Sequence, residues 1–204
     1  MEKQEALFLR TKITWKTVVL LAVCCGVTVG LLMIPEFLTD TSFQQPGISF
    51  EFWIFAALFI ILRCERPWEA GCKTFVFFLI SQPLIYLVQV PVTFLHWGIF
   101  RYYPQWGVIT LLTLPGGALG WYVKKGNLLS VLLLAAVDGI LCLELPGFVR
   151  DLLSGFPRFL LSTAFIVWEL VFFQVLLFRK RMRVLSFFLT ALLLAASVTY
   201  YLSA

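Results

Sequence analysis

The sequence predicts an all-α bundle of about seven transmembrane helices, with the N-terminus in the cytoplasm and the C-terminus outside. Residues 1–204 are expected to form a single integral membrane domain. Three observations carry this reading. The chain is 61% hydrophobic and only 13% charged, with a mean hydropathy of +0.94, whereas a soluble domain is about half apolar and a quarter charged. So few charges cannot cover a water-facing surface. The apolar residues also fall into seven runs of roughly 17–20 residues, each long enough to cross a hydrocarbon core of about 30 Å as a helix. Finally, the basic residues gather in alternate connections.

The runs are Lys16–Met33, Ile48–Cys64, Thr74–Thr93, Gly107–Val123, Asn127–Glu144, Phe159–Phe178 and Val184–Leu202. Several contain β-branched and aromatic residues that would favour strands in water. Lipid offers the backbone no hydrogen bonds, and period-two alternation is absent, so helices are expected throughout. The first run is too long for the apolar core of a signal peptide and lacks a convincing cleavage site, so it is read as a retained span. With the N-terminus inside, the inner connections hold 13 of the 16 Lys and Arg residues, from Lys3, Arg10, Lys12 and Lys16 to the final cluster at 179–183. Only Arg101, Arg150 and Arg158 fall outside, as the positive-inside rule requires. The net charge of +5 is therefore a topological signal and not a nucleic-acid signal. The fourth run is short and interrupted by Pro115, Gly116 and Gly117. If it is re-entrant, six spans remain.

No cofactor or metal is expected. The five cysteines, Cys24, Cys25, Cys64, Cys72 and Cys142, lack paired metal-ligand spacing and are read as packing residues or free thiols. No nucleophile elbow, zinc-protease motif or phosphate loop is present, and no catalytic residue is assigned. The loop 63–73 reads as a charged turn that fixes topology.

Polar groups at depth are the functional signal. In the third run Gln82, Tyr86, Gln89, Thr93 and His96 recur at steps of four and three, which places them on one helical face. Pro83 and Pro91 free backbone carbonyls in the same run. Glu169 and Asp138 stand near the middle of the sixth and fifth runs, and Glu51 near the outer end of the second. A central acid costs roughly 2.5–3.5 kcal/mol on insertion scales, and no Lys or Arg lies at matching depth. The nearest base in the run of Glu169, Arg158, is about 16 Å away along a helix. Such acids must be protonated, hydrated or paired with a cation. Ser162 shares the face of Glu169, and Ser130 that of Asp138.

The substrate-binding residues expected from this pattern are Gln82, Tyr86, Gln89, Asp138, Glu169 and Glu51, lining a polar pocket in the outer half of the bundle. The implied function is a transporter of a small solute or cation, or the membrane-embedded solute-binding subunit of one, taking a small cationic solute or a proton. The alternatives are a non-catalytic membrane scaffold and, behind it, an intramembrane enzyme acting on lipid. Besides the lipid bilayer, the expected partners are a membrane protein or a second copy, met through Gly26/Gly30 or Gly116/Gly120, which have the small-xxx-small spacing of close helix pairs. In size and hydropathy the chain is similar to small bacterial solute-binding membrane subunits of energy-coupled importers. No individual residue carries that likeness. The expected location is a cell membrane, that of the bacterial cytoplasm.

Overall fold

The computed structural model describes residues 11–203, except for the side chain at position 180. Lys3 and Arg10, counted above among the inner basic residues, lie outside the described residues. Among those described there are seven α-helices and no strand: α1 (Trp15–Leu32), α2 (Glu51–Leu62), α3 (Pro67–Gln89), α4 (Tyr103–Gly120), α5 (Leu128–Gly155), α6 (Leu160–Leu177) and α7 (Lys180–Ser203). Six of them are long and apolar enough to cross a membrane, and the chain is an integral, multi-pass membrane protein. The exception is α2, with 12 residues, or about 18 Å of helix.

Local chemistry explains the boundaries. Thr14 caps α1 by accepting from the Thr17 N–H at 3.2 Å. Pro67 opens α3, where its missing donor is harmless, and Glu69 in the first turn accepts from the Glu65 N–H at 2.9 Å. The third apolar run was expected to begin at Thr74. The helix starts seven residues earlier, because the Glu69–Lys73 pair lets a charged turn join it. It stops at Gln89, so Thr93 and His96 lie beyond α3, and the five-residue stripe shortens to Gln82, Tyr86 and Gln89. Gly126, at φ +66°, takes the left-handed turn that glycine tolerates. Asn127 and Ser130 then form a reciprocal capping box for α5. The fifth run, expected to end at Glu144, continues to Gly155. Pro146 lies inside it, and the Cys142 carbonyl that Pro146 leaves without its helical donor accepts from the Ser197 hydroxyl at 2.5 Å. Pro115 likewise sits inside a continuous α4.

The chain forms two compact units. One comprises the chain up to Thr39 together with Pro46–Ile48 and Ala56–Trp121; the other comprises Asp40–Gln45, Ser49–Phe55 and the chain from Tyr122 onward. In the first unit α1 and α3 run parallel. A Cβ on Gly26 would lie 2.7 Å from the Ser81 carbonyl, and one on Gly30 2.9 Å from Val88 Cβ. Both glycines are therefore used within the chain, for close approach of α1 to α3. Parallel packing requires the chain to return between the two helices. Gly47 lies against Met33, at the end of α1, while the Ile13 N–H donates to the Arg63 carbonyl at its start. Between Gly47 and Arg63 the chain thus passes from the end of α1 to its start, with 12 residues of α-helix on the way. At that end Lys73 is buried and donates to the Ile13 carbonyl at 2.6 Å. The exposed Lys12 ammonium, paired with Glu65, is held above its ordinary pKa range by that hydrogen bond. Antiparallel α4 comes so close to α3 that a Cβ on Gly117 would lie 3.0 Å from Gly71 Cα. Neighbouring Gly116 meets nothing within 4 Å, and Gly120 faces Ile61.

In the second unit α5 packs on α6 and α7. Its core is Leu141, Cys142, Leu145, Phe148, Ile166 and Leu170. Phe55 joins the rings of Phe165, Trp168 and Phe173 at centroid distances of 5.5–5.9 Å. Ser42 pins its loop to the start of α6: its hydroxyl donates to the Arg158 carbonyl at 2.9 Å and accepts from the Ser162 N–H at 3.1 Å.

Candidate functional site

The expected site residues divide between the two units. Gln82, Tyr86 and Gln89 belong to the first, and Glu51, Asp138 and Glu169 to the second. All six are buried.

In the first unit the stripe on α3 is only partly satisfied. Gln89 donates to the Ile85 carbonyl of its own helix at 2.9 Å, but the Gln82 amide nitrogen is buried without a partner. Tyr86 packs against Phe100 with tilted rings at 5.6 Å and against Tyr103 edge to face at 6.0 Å between centroids. These rings cluster near the end of α3, where amphipathic aromatics meet the interface.

The second unit concentrates the chemistry. Asp138, on α5, is 2% exposed and Gln174, on α6, is fully buried. Asp138 Oδ2 accepts from Gln174 Nε2 at 3.0 Å and from the Thr190 hydroxyl of α7 at 2.6 Å. Gln174 Nε2 also reaches Thr190 Oγ1 at 2.7 Å. One carboxylate therefore ties three helices together. Glu169 stands five residues before Gln174 on α6, about 7.5 Å along the axis. It is 1% exposed, and neither of its oxygens has a hydrogen-bond partner. Glu144 Oε1 accepts from the Phe50 N–H at 3.0 Å, while Glu144 Oε2 and Glu51 Oε2 are buried and unpartnered. On α5, Glu144 lies about 9 Å beyond Asp138. The acids thus form a column, with Asp138 at one level and Glu169, Glu144 and Glu51 further along. Among the described residues no three of them converge as metal ligands.

One acid of this column, Glu144, and the two donors to Asp138, Gln174 and Thr190, were not expected as site residues. Glu144 closed an apolar run and read as its boundary. Gln174 and Thr190 sit among apolar neighbours without an obvious stripe, and only the packing of α6 and α7 on α5 reveals them. Ser130 is committed to its cap and to the Tyr122 carbonyl at 2.8 Å, while Ser162 is buried on α6 like Glu169 and its backbone N–H donates to the Ser42 hydroxyl. The five cysteines are free thiols. Buried Cys64 donates to the Ile60 carbonyl at 3.2 Å.

Gln174→Leu and Thr190→Val each remove a donor from a buried carboxylate. Each is expected to destabilise the protein by about 1–3 kcal/mol, read as a lower unfolding temperature in detergent. Because they share one acceptor, the double variant should lose less than the sum.

No family model, curated protein or solved structure matches the chain. Its function is therefore read from these residues.

Proposed function

We propose that this protein is a proton- or cation-coupled carrier of small solutes in a cell membrane, that of the bacterial cytoplasm, with the acid column of the second unit as its coupling element. The supporting observation is Glu169. A carboxylate buried in a lipid-spanning helix with neither a donor nor a counter-ion must take up a proton or a cation to be accommodated. Glu169 also stands among other acids that can exchange that charge with it. Asp138 marks the inner end of the route, where Gln174 and Thr190 supply donors to its ionised form. Glu144 and Glu51 mark the outer end. The solute itself would meet the polar groups of α3 (Gln82, Tyr86 and Gln89), whose unsatisfied amide is an available donor.

The test is proton uptake by sealed proteoliposomes under an imposed pH gradient, read with an entrapped pH-sensitive dye. Protein-dependent flux supports the reading, and liposomes no more permeable than empty ones overturn it.

The route needs an orientation. The parallel packing of α1 with α3 supports seven crossings, with the N-terminus and the basic connections inside. On a cysteine-free background, Thr39→Cys and Ser203→Cys are expected to react with a membrane-impermeant maleimide in intact cells. Lys125→Cys should react only after permeabilisation. Labelling of Lys125→Cys in intact cells would overturn the orientation.

A further inference from the structure

At the end of the second unit where α5 begins and α6 stops, two connections bring basic residues together. Gly126 precedes α5, and a Cβ there would lie 3.7 Å from the Leu177 carbonyl oxygen. The turn carrying Lys124 and Lys125 therefore rests on the last residue of α6, and Arg179 and Arg181 follow that residue by two and four positions. The Ser130 hydroxyl ties the turn to α5 by donating to the Tyr122 carbonyl at 2.8 Å, and the Lys125 ammonium lies 4.7 Å from the Tyr122 ring centre. Arg183 is committed elsewhere. Its Nε donates to the Phe178 carbonyl at 2.9 Å and its Nη2 to the Val175 carbonyl at 2.8 Å, which caps α6. Lys125, Arg179 and Arg181 are exposed. Residues 122–137 and 170–204 contain no Asp or Glu, so neither connection carries its own counter-charge. Directly beyond the bases the exposed side chains are apolar: Leu128, Leu129 and Leu132 on α5, Val184 and Phe188 on α7.

We propose that this end of the second unit binds an anionic phospholipid, with its phosphate among Lys125, Arg179 and Arg181 and its acyl chains against the exposed apolar side chains that follow. Charge and position select this occupant. Basic residues at a membrane surface attract anionic headgroups, and a guanidinium holds a phosphate through two parallel hydrogen bonds. The change from charge to hydrocarbon is abrupt. Val184 stands three residues after Arg181 on α7, about 4.5 Å along the axis. An occupant that satisfies both must join an anion to an apolar chain within that distance. An acidic protein segment matches the charge but leaves the apolar side chains unmet, and free phosphate does the same. This inference is independent of the transport reading.

The test is the unfolding temperature of the full-length protein in detergent, titrated with phosphatidylglycerol, phosphatidylcholine, inorganic phosphate or a polyglutamate peptide. Phosphatidylglycerol is expected to raise it and to bind about tenfold more tightly than phosphatidylcholine, the worth of one charge-assisted contact. Phosphate and polyglutamate should leave it unchanged. The triple variant Lys125→Gln, Arg179→Gln, Arg181→Gln should lose the preference for phosphatidylglycerol. Arg158→Gln, which removes an exposed base at the opposite end of the same unit, should keep it. If the triple variant does not fold, salt decides on the wild type: high ionic strength should weaken phosphatidylglycerol binding and spare phosphatidylcholine binding. Equal affinity for the two lipids, a preference kept by the triple variant, an equal loss in Arg158→Gln or indifference to salt overturns the proposal. So does equal stabilisation by phosphate or polyglutamate.

Discussion

Glu169→Gln is expected to reduce acid-driven proton flux in proteoliposomes to the level of empty vesicles while leaving the protein folded. The amide keeps the shape of the side chain but cannot bind and release a proton. Both oxygens of the native acid lack partners in the fold, so no hydrogen bond is lost. Glu169→Leu sharpens the contrast. An apolar side chain in that buried position relieves an unsatisfied polar group, so stability should stay level or rise by about 1–3 kcal/mol, while flux still vanishes. A purely structural acid would behave in the opposite way, with stability falling and flux following it. Wild-type flux through Glu169→Gln would remove the acid column from the mechanism.

Gly117→Ala and Gly71→Ala are expected to be damaging single-methyl changes in the first unit, as is Gly26→Ala at the contact of α1 with α3. At Gly117 the new Cβ would stand 3.0 Å from Gly71 Cα and 3.1 Å from the Ala70 carbonyl oxygen, and at Gly71 it would collide with the carbonyl oxygen of Leu114. The obstacle is backbone in both cases, so no rotamer change relieves it and α3 and α4 must separate. Overpacking of this kind costs about 1–3 kcal/mol per site. Gly116→Ala is the internal control. It meets nothing within 4 Å, and alanine is the better helix former by about 0.5–1 kcal/mol. Unfolding temperatures in detergent should therefore fall for Gly117→Ala and Gly71→Ala and hold or rise for Gly116→Ala. Equal losses at Gly116 and Gly117 would contradict the tight crossing.

These two experiments also mark what could be read from sequence. Long apolar runs announced the all-helical architecture because lipid leaves the backbone no alternative. Glu51, Asp138 and Glu169 stood out because a lone acid is conspicuous in an apolar run. Glu144, Gln174 and Thr190 stayed hidden for a different reason. Their importance lies in which helices meet, and a membrane helix with lipid on one side and protein on the other gives little periodic signal of which neighbour it faces. The glycines show the same limit. The spacing of Gly26 and Gly30 marked a close contact correctly, but nothing in the spacing said that the contact is with α3 of the same chain. Gly71 and Gly117, without a spaced partner of their own, gave no warning that they touch. Conversely, Ser130 looked like a companion of Asp138 by helical phase and proved to be a cap, because phase alone does not register the first turn of a helix.

The parallel pairing of α1 with α3 has a consequence for biogenesis. On a ribosome α1 emerges well before its packing partner, and the bare notch at Gly26 and Gly30 must wait in the membrane until some sixty further residues have been made. During that interval α1 is a helix with an unfilled seam, open to insertion chaperones or to a neighbouring nascent chain, and the pace of synthesis through residues 33–66 sets how long the seam stays open.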